Sequence, residues 1–287
     1  MRLSFKLQVL FSTAVFAQFI HTCCMAQTPV LLNSSTALQR LDTHVEVFID
    51  SSDRISIEEI VKPDFQHRFL PSQGKLTFGY LKSPLWLKLV TRTASPETDW
   101  YLEIPAPFLE YVDFYQLESG DIWSHSVSGY YMPHSARKIS HTGHVLPLQF
   151  REDSTSTVYV RISGVSPKTF PLYAIEKEKF IEKNRLNDLG YGIFFGILIV
   201  MFFYNLFIYL ILKQRNYLLY FCTIVCTFLI FSAVSGYGGK FLWPENPILN
   251  YYTGKMSLEV MVIFLSVFTM QFLEVRRYST VMYYIVL

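Results

Sequence analysis

Two hydrophobic periods divide the chain. As far as about residue 175, apolar and polar positions alternate: Leu85, Leu87 and Leu89 stand against Trp86 and Lys88, and Trp100, Leu102 and Ile104 against Tyr101 and Glu103. The same period of two returns in Val112 and Phe114 around Asp113, and in Val158, Val160 and Ile162 around Tyr159 and Arg161. Alternation of this kind puts successive side chains on opposite faces, the pattern of half-buried strands. Turn residues separate the runs at Pro71-Ser72-Gln73-Gly74, Ser95-Pro96, Ser119-Gly120-Asp121 and Gly164. No segment of helical period and useful length comes before Ile175. The pattern predicts an all-β sandwich of jelly-roll type over residues 27–175.

Beyond Asp188 the alternation gives way to unbroken apolar runs. Residues 189–212 carry no charge and extend roughly 36 Å as a helix, enough to cross a bilayer with some tilt. Residues 217–239 form a second uncharged run, and residues 256–273 a third with Glu259 as its only charge. A fourth begins near Tyr278 and reaches Leu287, about half the length a bilayer needs. The pattern therefore predicts an α-helical transmembrane bundle over residues 189–287, with three full spans and part of a fourth, as expected of the front part of a longer membrane protein. Lys213-Gln214-Arg215 and Arg276-Arg277 fall between spans on one side, which assigns that side to the cytoplasm and the sandwich to the outside. Gly192 and Gly196 have the spacing of close helix approach, and Asn205 is expected to hydrogen-bond to another helix. Glu259 is placed about one turn inside the third span, within reach of the outer interface.

The juxtamembrane segment 176–188 is charged and helix-compatible, with opposite charges three apart at Glu176/Lys179, Lys179/Glu182, Glu182/Arg185 and Arg185/Asp188. It reads either as a solvated spacer or as a stiff helix continuous with the first span. At the other end, Arg2 and Lys6 precede an apolar core from Leu7 to Ile20, and Cys24-Met25-Ala26 supplies a small-residue exit. Residues 1–26 thus read as a secretory signal peptide, with a retained anchor helix as the alternative. Cleavage there removes Cys23 and Cys24 and leaves Cys222 and Cys226 in an apolar run, where cysteine serves as a small packing residue.

Composition agrees with this division: 51% of residues are hydrophobic and only 17% charged, beyond the range of a soluble domain. A net charge of +2 without a basic block excludes nucleic acid as a partner. The exported region holds no nucleophile elbow, zinc-protease pair, phosphate-binding glycine loop or Cys-x-x-Cys. No catalytic residue and no cofactor is therefore expected, and the absence points to binding. His134, His141 and His144 lie close in sequence but match no standard metal spacing, so no metal site is expected. Trp86 alternates onto the face opposite the leucines, beside Lys88, where it is either a stacking platform for a sugar ring or packing beneath a loop. Tyr130, Tyr131, Arg137 and His141 mix aromatic and donor character in a loop, which suits a polar ligand or a structural loop.

These residues resemble one family, the bacterial seven-transmembrane receptors with diverse intracellular signalling modules. The likeness runs through Leu85-Trp86-Leu87-Lys88-Leu89, Trp100-Tyr101-Leu102-Glu103-Ile104-Pro105 and Tyr111-Val112-Asp113-Phe114-Tyr115. It continues with Val145-Leu146-Pro147-Leu148, Val158-Tyr159-Val160-Arg161-Ile162, Phe203-Tyr204-Asn205-Leu206-Phe207 and Leu242-Trp243-Pro244. The resemblance implies a periplasmic jelly-roll sensor similar to carbohydrate-binding modules, seven spans in the inner membrane, and a cytoplasmic kinase, cyclase or phosphatase output beyond Leu287. It also raises Arg137 and His141, which match polar positions of the family's loop, as ligand candidates; His134 departs from the usual Phe. The expected function is a signal-transduction receptor for a small molecule, with a saccharide as candidate ligand, membrane lipids around the helices, and a homodimer compatible with the pattern. The alternative is a membrane-anchored carbohydrate-binding or adhesion protein without output. A transporter lacks the repeated buried charges and broken helices it needs.

Overall fold

The computed structural model describes residues 28–95, 97–118, 122–150 and 155–272. The expected signal peptide with Cys23 and Cys24, Pro96, residues 119–121, Arg276-Arg277 and the fourth apolar run lie outside the described residues.

In chain order the strands are β1 (Val30–Leu32), β2 (Leu38–Arg40), β3 (Glu46–Ile49), β4 (Leu70–Pro71), β5 (Leu85–Thr93) and β6 (Trp100–Ile104). They continue with β7 (Tyr111–Leu117), β8 (Trp123–Ser128), β9 (His144–Leu148), β10 (Thr155–Ser163) and β11 (Tyr173–Glu176). One sheet has the order β4-β3-β5-β10-β7-β8, with β1 paired in parallel to β5; the other has the order β2-β11-β6-β9. Leu85, Leu87, Val158, Val160 and Phe114 on the larger sheet meet Trp100, Leu102, Leu146 and Ala174 on the smaller in one core. The inward members of each alternating run supply that core, because a period of two gives every strand one apolar face.

The outward members depart from the half-buried expectation. The segment between β3 and β4, containing α1 (Ile57–Ile60) and a 3-10 turn over Pro63–Arg68, folds across the outer face of the larger sheet. Ile60, Phe65 and Phe69 there close a second core with Trp86 and Tyr159. The middle strands β5 and β10 are consequently covered on both faces. The outer face of the smaller sheet is covered too, by the first turns of the following helix: Phe180 packs with Val145 and Ile175 and meets the edge of Tyr101 at 5.2 Å.

That helix, α2 (Lys177–Leu212), runs unbroken for 36 residues, about 54 Å at ~1.5 Å per residue. The charged juxtamembrane segment and the first span are therefore one element. Lys213 ends it in the left-handed conformation (φ 53°), and α3 (Arg215–Val234) begins at once. A π turn over Gly238–Leu242 leads to α4 (Pro247–Phe272). Among the described residues three helices, α2, α3 and α4, are long and apolar enough to cross a membrane.

Three details of the bundle differ from expectation. A Cβ placed on Gly192 or Gly196 meets nothing within 4 Å, so that pair brings no described helix close. Close approach occurs instead at Gly254, where a Cβ would lie 2.8 Å from that of Ala233. Asn205 is buried, yet its amide donates to the Met201 carbonyl of its own helix at 2.8 Å. Because α4 begins at Pro247, Glu259 also stands near the middle of its helix, not one turn from the outer end.

Candidate functional site

The outward positions of the larger sheet form a grid. Strand register places Trp86 beside Arg161 and Arg161 beside Asp113, and one row further Lys88, Tyr159, Tyr115 and His125 follow one another across the sheet. The covering segment shelters the β3 side of this grid. On the β8 side a groove of about 520 Å³ remains, floored by Trp86, Tyr115, Trp123, His125 and Arg161 and walled by residues 53–58. The rings are ordered: Trp86 stacks on Tyr115 at 5.7 Å, Tyr115 on His125 at 4.6 Å and 8°, and Trp123 leans on Tyr159 at 5.4 Å.

Asp50 shapes the wall. Its carboxylate accepts the amides of Ser52, Asp53 and Ile55 at 3.0–3.1 Å and the Ser52 hydroxyl at 2.6 Å. Burial acts to raise its pKa, but these bonds, led by the Ser52 hydroxyl, outweigh it and hold the group below the ordinary carboxylate range. The loop so fixed carries Asp53 at φ 53°, with its carboxylate 2.7 Å from the Arg161 guanidinium. Asp113 approaches Arg161 at 3.6 Å and the His125 Nε2 at 3.0 Å. Burial and then the Asp113 charge push the Tyr115 phenol up, so it stays a neutral hydroxyl. The indole Nε1 of Trp86 is buried without an acceptor.

A second set of residues meets the helices. Arg137 turns inward and donates to the carbonyls of His141 (2.8 Å), Gly143 (3.1 Å) and Gly129 (2.9 Å), folding the 129–143 loop around itself. Burial lowers this guanidinium to about 10, so it remains charged at neutral pH. The loop then docks: the His134 amide donates to the Pro244 carbonyl at 2.7 Å, the Ser135 hydroxyl to Glu245 at 2.8 Å, and Tyr131 packs on Tyr251 at 5.5 Å. His141 Nε2 lies 3.0 Å from Asn184 Oδ1 on α2, and its Nδ1 accepts the Gly143 amide at 3.0 Å, which fixes the proton on Nε2. Burial, which dominates, sets His141 down to about 4. Lys183 of α2 reaches both carboxylate oxygens of Glu103 on β6, at 2.8 and 2.7 Å. Gly236 completes the contact, since a Cβ there would crowd Thr142 and Pro107.

The residues singled out in the sequence are thus split between two places. Trp86 is 1% exposed, so it floors the groove but offers no free ring face; Tyr115 covers it. Tyr130 and Tyr131, with phenols pushed up to about 12 by burial first and neighbouring tyrosines, lie with Arg137 and His141 at the joint to the helices. The three histidines do not converge: His134 meets Ser140, His141 meets Asn184, and His144 lies between Ser128 and the Ala106 carbonyl. Asp53, Tyr115, Trp123, His125 and Arg161 of the groove went unmarked in the sequence. Strand alternation puts four of them on the outward row, but only the register joins β7, β8 and β10 into one floor.

Residues 42–176 match the family model described as 7TMR-DISM extracellular 2, and residues 187–287 match the model described as 7TM diverse intracellular signalling. The first match ends one residue before α2 begins, and the second starts within α2 and takes in α3 and α4. No curated protein matches the chain.

Proposed function

In a chain that belongs to the seven-transmembrane receptors with diverse intracellular signalling modules, we propose a sensor of the bacterial inner membrane whose periplasmic sandwich binds a small molecule, a saccharide being the candidate class. The bound state passes through the helices to a cytoplasmic output, and the sandwich and helices described here catalyse no reaction. The observation that supports this most directly is the continuity of α2. One helix starts on the outer face of the smaller sheet, where Phe180 and Lys183 tie it to Tyr101 and Glu103, and ends across the membrane. A rigid element shared by two domains transmits displacement, because a packed helix moves as a body and does not bend locally. The docked 129–143 loop adds a second link, to the π turn and the start of α4.

Deleting the gene in the cell that makes the protein identifies the stimulus response that depends on it. Two residues inserted after Lys183 then turn the distal helix by about 200° and lengthen it by about 3 Å. Loss of that response, with the protein still in the membrane, is the expected result. A response equal to that of the unaltered protein would overturn rigid coupling and favour an anchored binding protein.

A further inference from the structure

The end of the sandwich nearest the helices carries apolar side chains that stay open among the described residues. We infer that this rim is seated in the headgroup layer of the adjacent leaflet, so that the sandwich binds a lipid surface as well as the helices. Such a contact requires neither a ligand of the sandwich nor an output beyond the helices.

Contacts descend α2 and β6 in step: Lys177 meets Asp99 at 2.8 Å, Phe180 meets Tyr101 at 5.2 Å and Lys183 meets Glu103 at 2.7 Å. About one turn below Asn184, Asp188 accepts the Tyr237 hydroxyl. Past β6 the chain reaches Pro107, whose Cβ lies 3.2 Å from the place a Cβ on Gly236 would take. Pro107, Gly236, Tyr237 and Asp188 thus share one level, and it is the level at which α2 loses its charges, since Leu189 opens the uncharged run. No stalk separates the sandwich from the spans: its last loops end where they begin.

Three loops meet at that level. The amides of Tyr130 and Tyr131 donate to the carbonyls of Leu109 and Glu110 at 2.7 and 3.2 Å, and the Glu110 carboxylate accepts the Val165 amide. Phe108, Tyr111 and Val165, on or beside these loops, are exposed, Val165 by 66%. The Tyr111 ring lies 5.8 Å from that of Tyr131, and Tyr131 lies 5.5 Å from Tyr251, so an aromatic row passes from the sandwich onto α4 without a break. Exposed Leu249 and Tyr252 extend it along the helix. The row presents no charge: its one acid, Glu110, is buried and engaged by the Val165 amide and the Ser166 hydroxyl.

Continuity selects lipid as the occupant. Helix α4 is long and apolar enough to cross the membrane, so the surface that the row joins already belongs to the bilayer. Tyrosine, with an apolar ring and a polar hydroxyl, is matched to the boundary between acyl chains and headgroups, and apolar side chains beside it leave water there. Phe241, exposed on the π turn with the Lys240 ammonium 5.0 Å over its ring, brings a cation for lipid phosphate to the same boundary. A sandwich seated in this way is held by α2, by the 129–143 loop and by the leaflet itself.

The test uses the whole chain, its native cysteines changed to alanine, in nanodiscs of phosphatidylcholine and phosphatidylglycerol. One nitroxide at a time is attached through Phe108→Cys, Tyr111→Cys or Val165→Cys, and through Ile122→Cys as the control, an exposed residue at the opposite end of β7 and β8. Power-saturation EPR reads collisions with oxygen, which concentrates in lipid, and with a nickel chelate, which stays in water. The three rim labels should give an oxygen-to-nickel ratio several-fold above that at Ile122. A ratio equal to the control puts the rim in water and overturns the lipid contact. Few collisions with either reagent would show protein over the rim, a second copy or a later part of the chain, and would overturn it equally. Phe108→Asp with Val165→Asp, both at exposed positions, should lower the ratio at Tyr111 several-fold with the melting temperature unchanged. A ratio indifferent to that pair would mean that the label itself sought the lipid, and the contact would again be refuted. None of these readings involves a ligand or the Lys183 insertion, so a failed relay and a failed lipid contact stay distinct.

Discussion

Glu103 stands on β6 at a position that alternation assigns to the outside, yet its carboxylate is 1% exposed because α2 lies over it. Lys183, itself 30% exposed, supplies the compensating charge to both oxygens. Removing the lysine leaves a buried carboxylate without a partner, whereas removing the carboxylate frees a lysine that bends to water. Lys183→Ala should therefore destabilise the sandwich by about 2–4 kcal/mol and Glu103→Gln by less, measured by denaturant unfolding of the chain in nanodiscs. Equal losses would mean that the pair carries no desolvated charge. Arg137 shows the same principle in a loop: its guanidinium donates to four carbonyls of its own segment and so organises that loop.

At the scale of elements, helix packing is decided by where backbones touch. Gly254 on α4 faces Ala233 on α3 so closely that an added Cβ would stand 2.8 Å from its neighbour, while Gly192 on α2 has open space around it. Gly254→Leu should force α3 and α4 apart and lower the thermal midpoint of the helical domain by several degrees, a core overpacking of about 1–3 kcal/mol. Gly192→Leu should leave that midpoint almost unchanged. A reversal of the two results would place the close contact of this bundle at the Gly192 spacing after all. The sandwich follows an analogous rule. Its inner core was legible in the alternating runs, since a strand with a period of two has no other way to bury leucine and valine. The second core was not, because the segment from Asp50 to Arg68 has no strong period of its own and covers Trp86 only after the chain folds back.

For the whole molecule the decisive feature is the joint, where α2 and the 129–143 loop hold sandwich and helices together. His141 faces Asn184 and Phe180 from α2, with Lys183, Lys240 and Arg137 nearby, and burial before these charges brings it to about 4. His144, fully enclosed behind it, is brought to about 3, again by burial first and by Arg137 next. The unfolded chain titrates both rings near 6.5, so between about 6.5 and 4 it binds more protons than the folded state. Stability at the joint should therefore be constant above pH 7 and fall as pH drops through that window, by roughly 3 kcal/mol for His141 alone. Thermal unfolding followed from pH 7.5 to 4 should show this decline, and His141→Asn, which keeps a donor for Asn184 but does not titrate, should flatten part of it. A midpoint that rises on acidification would contradict the burial of these rings. Sequence alone determined the two-part plan, the strands with leucine or valine on one face and the apolar helices, because hydrophobic period and run length are local properties of the chain. The fate of the outward residues was decided only by tertiary structure. Trp86 became a groove floor, Glu103 a buried ion pair and Tyr130, Tyr131, Arg137 and His141 a joint, because segments distant in sequence came to rest on them and changed which groups water reaches.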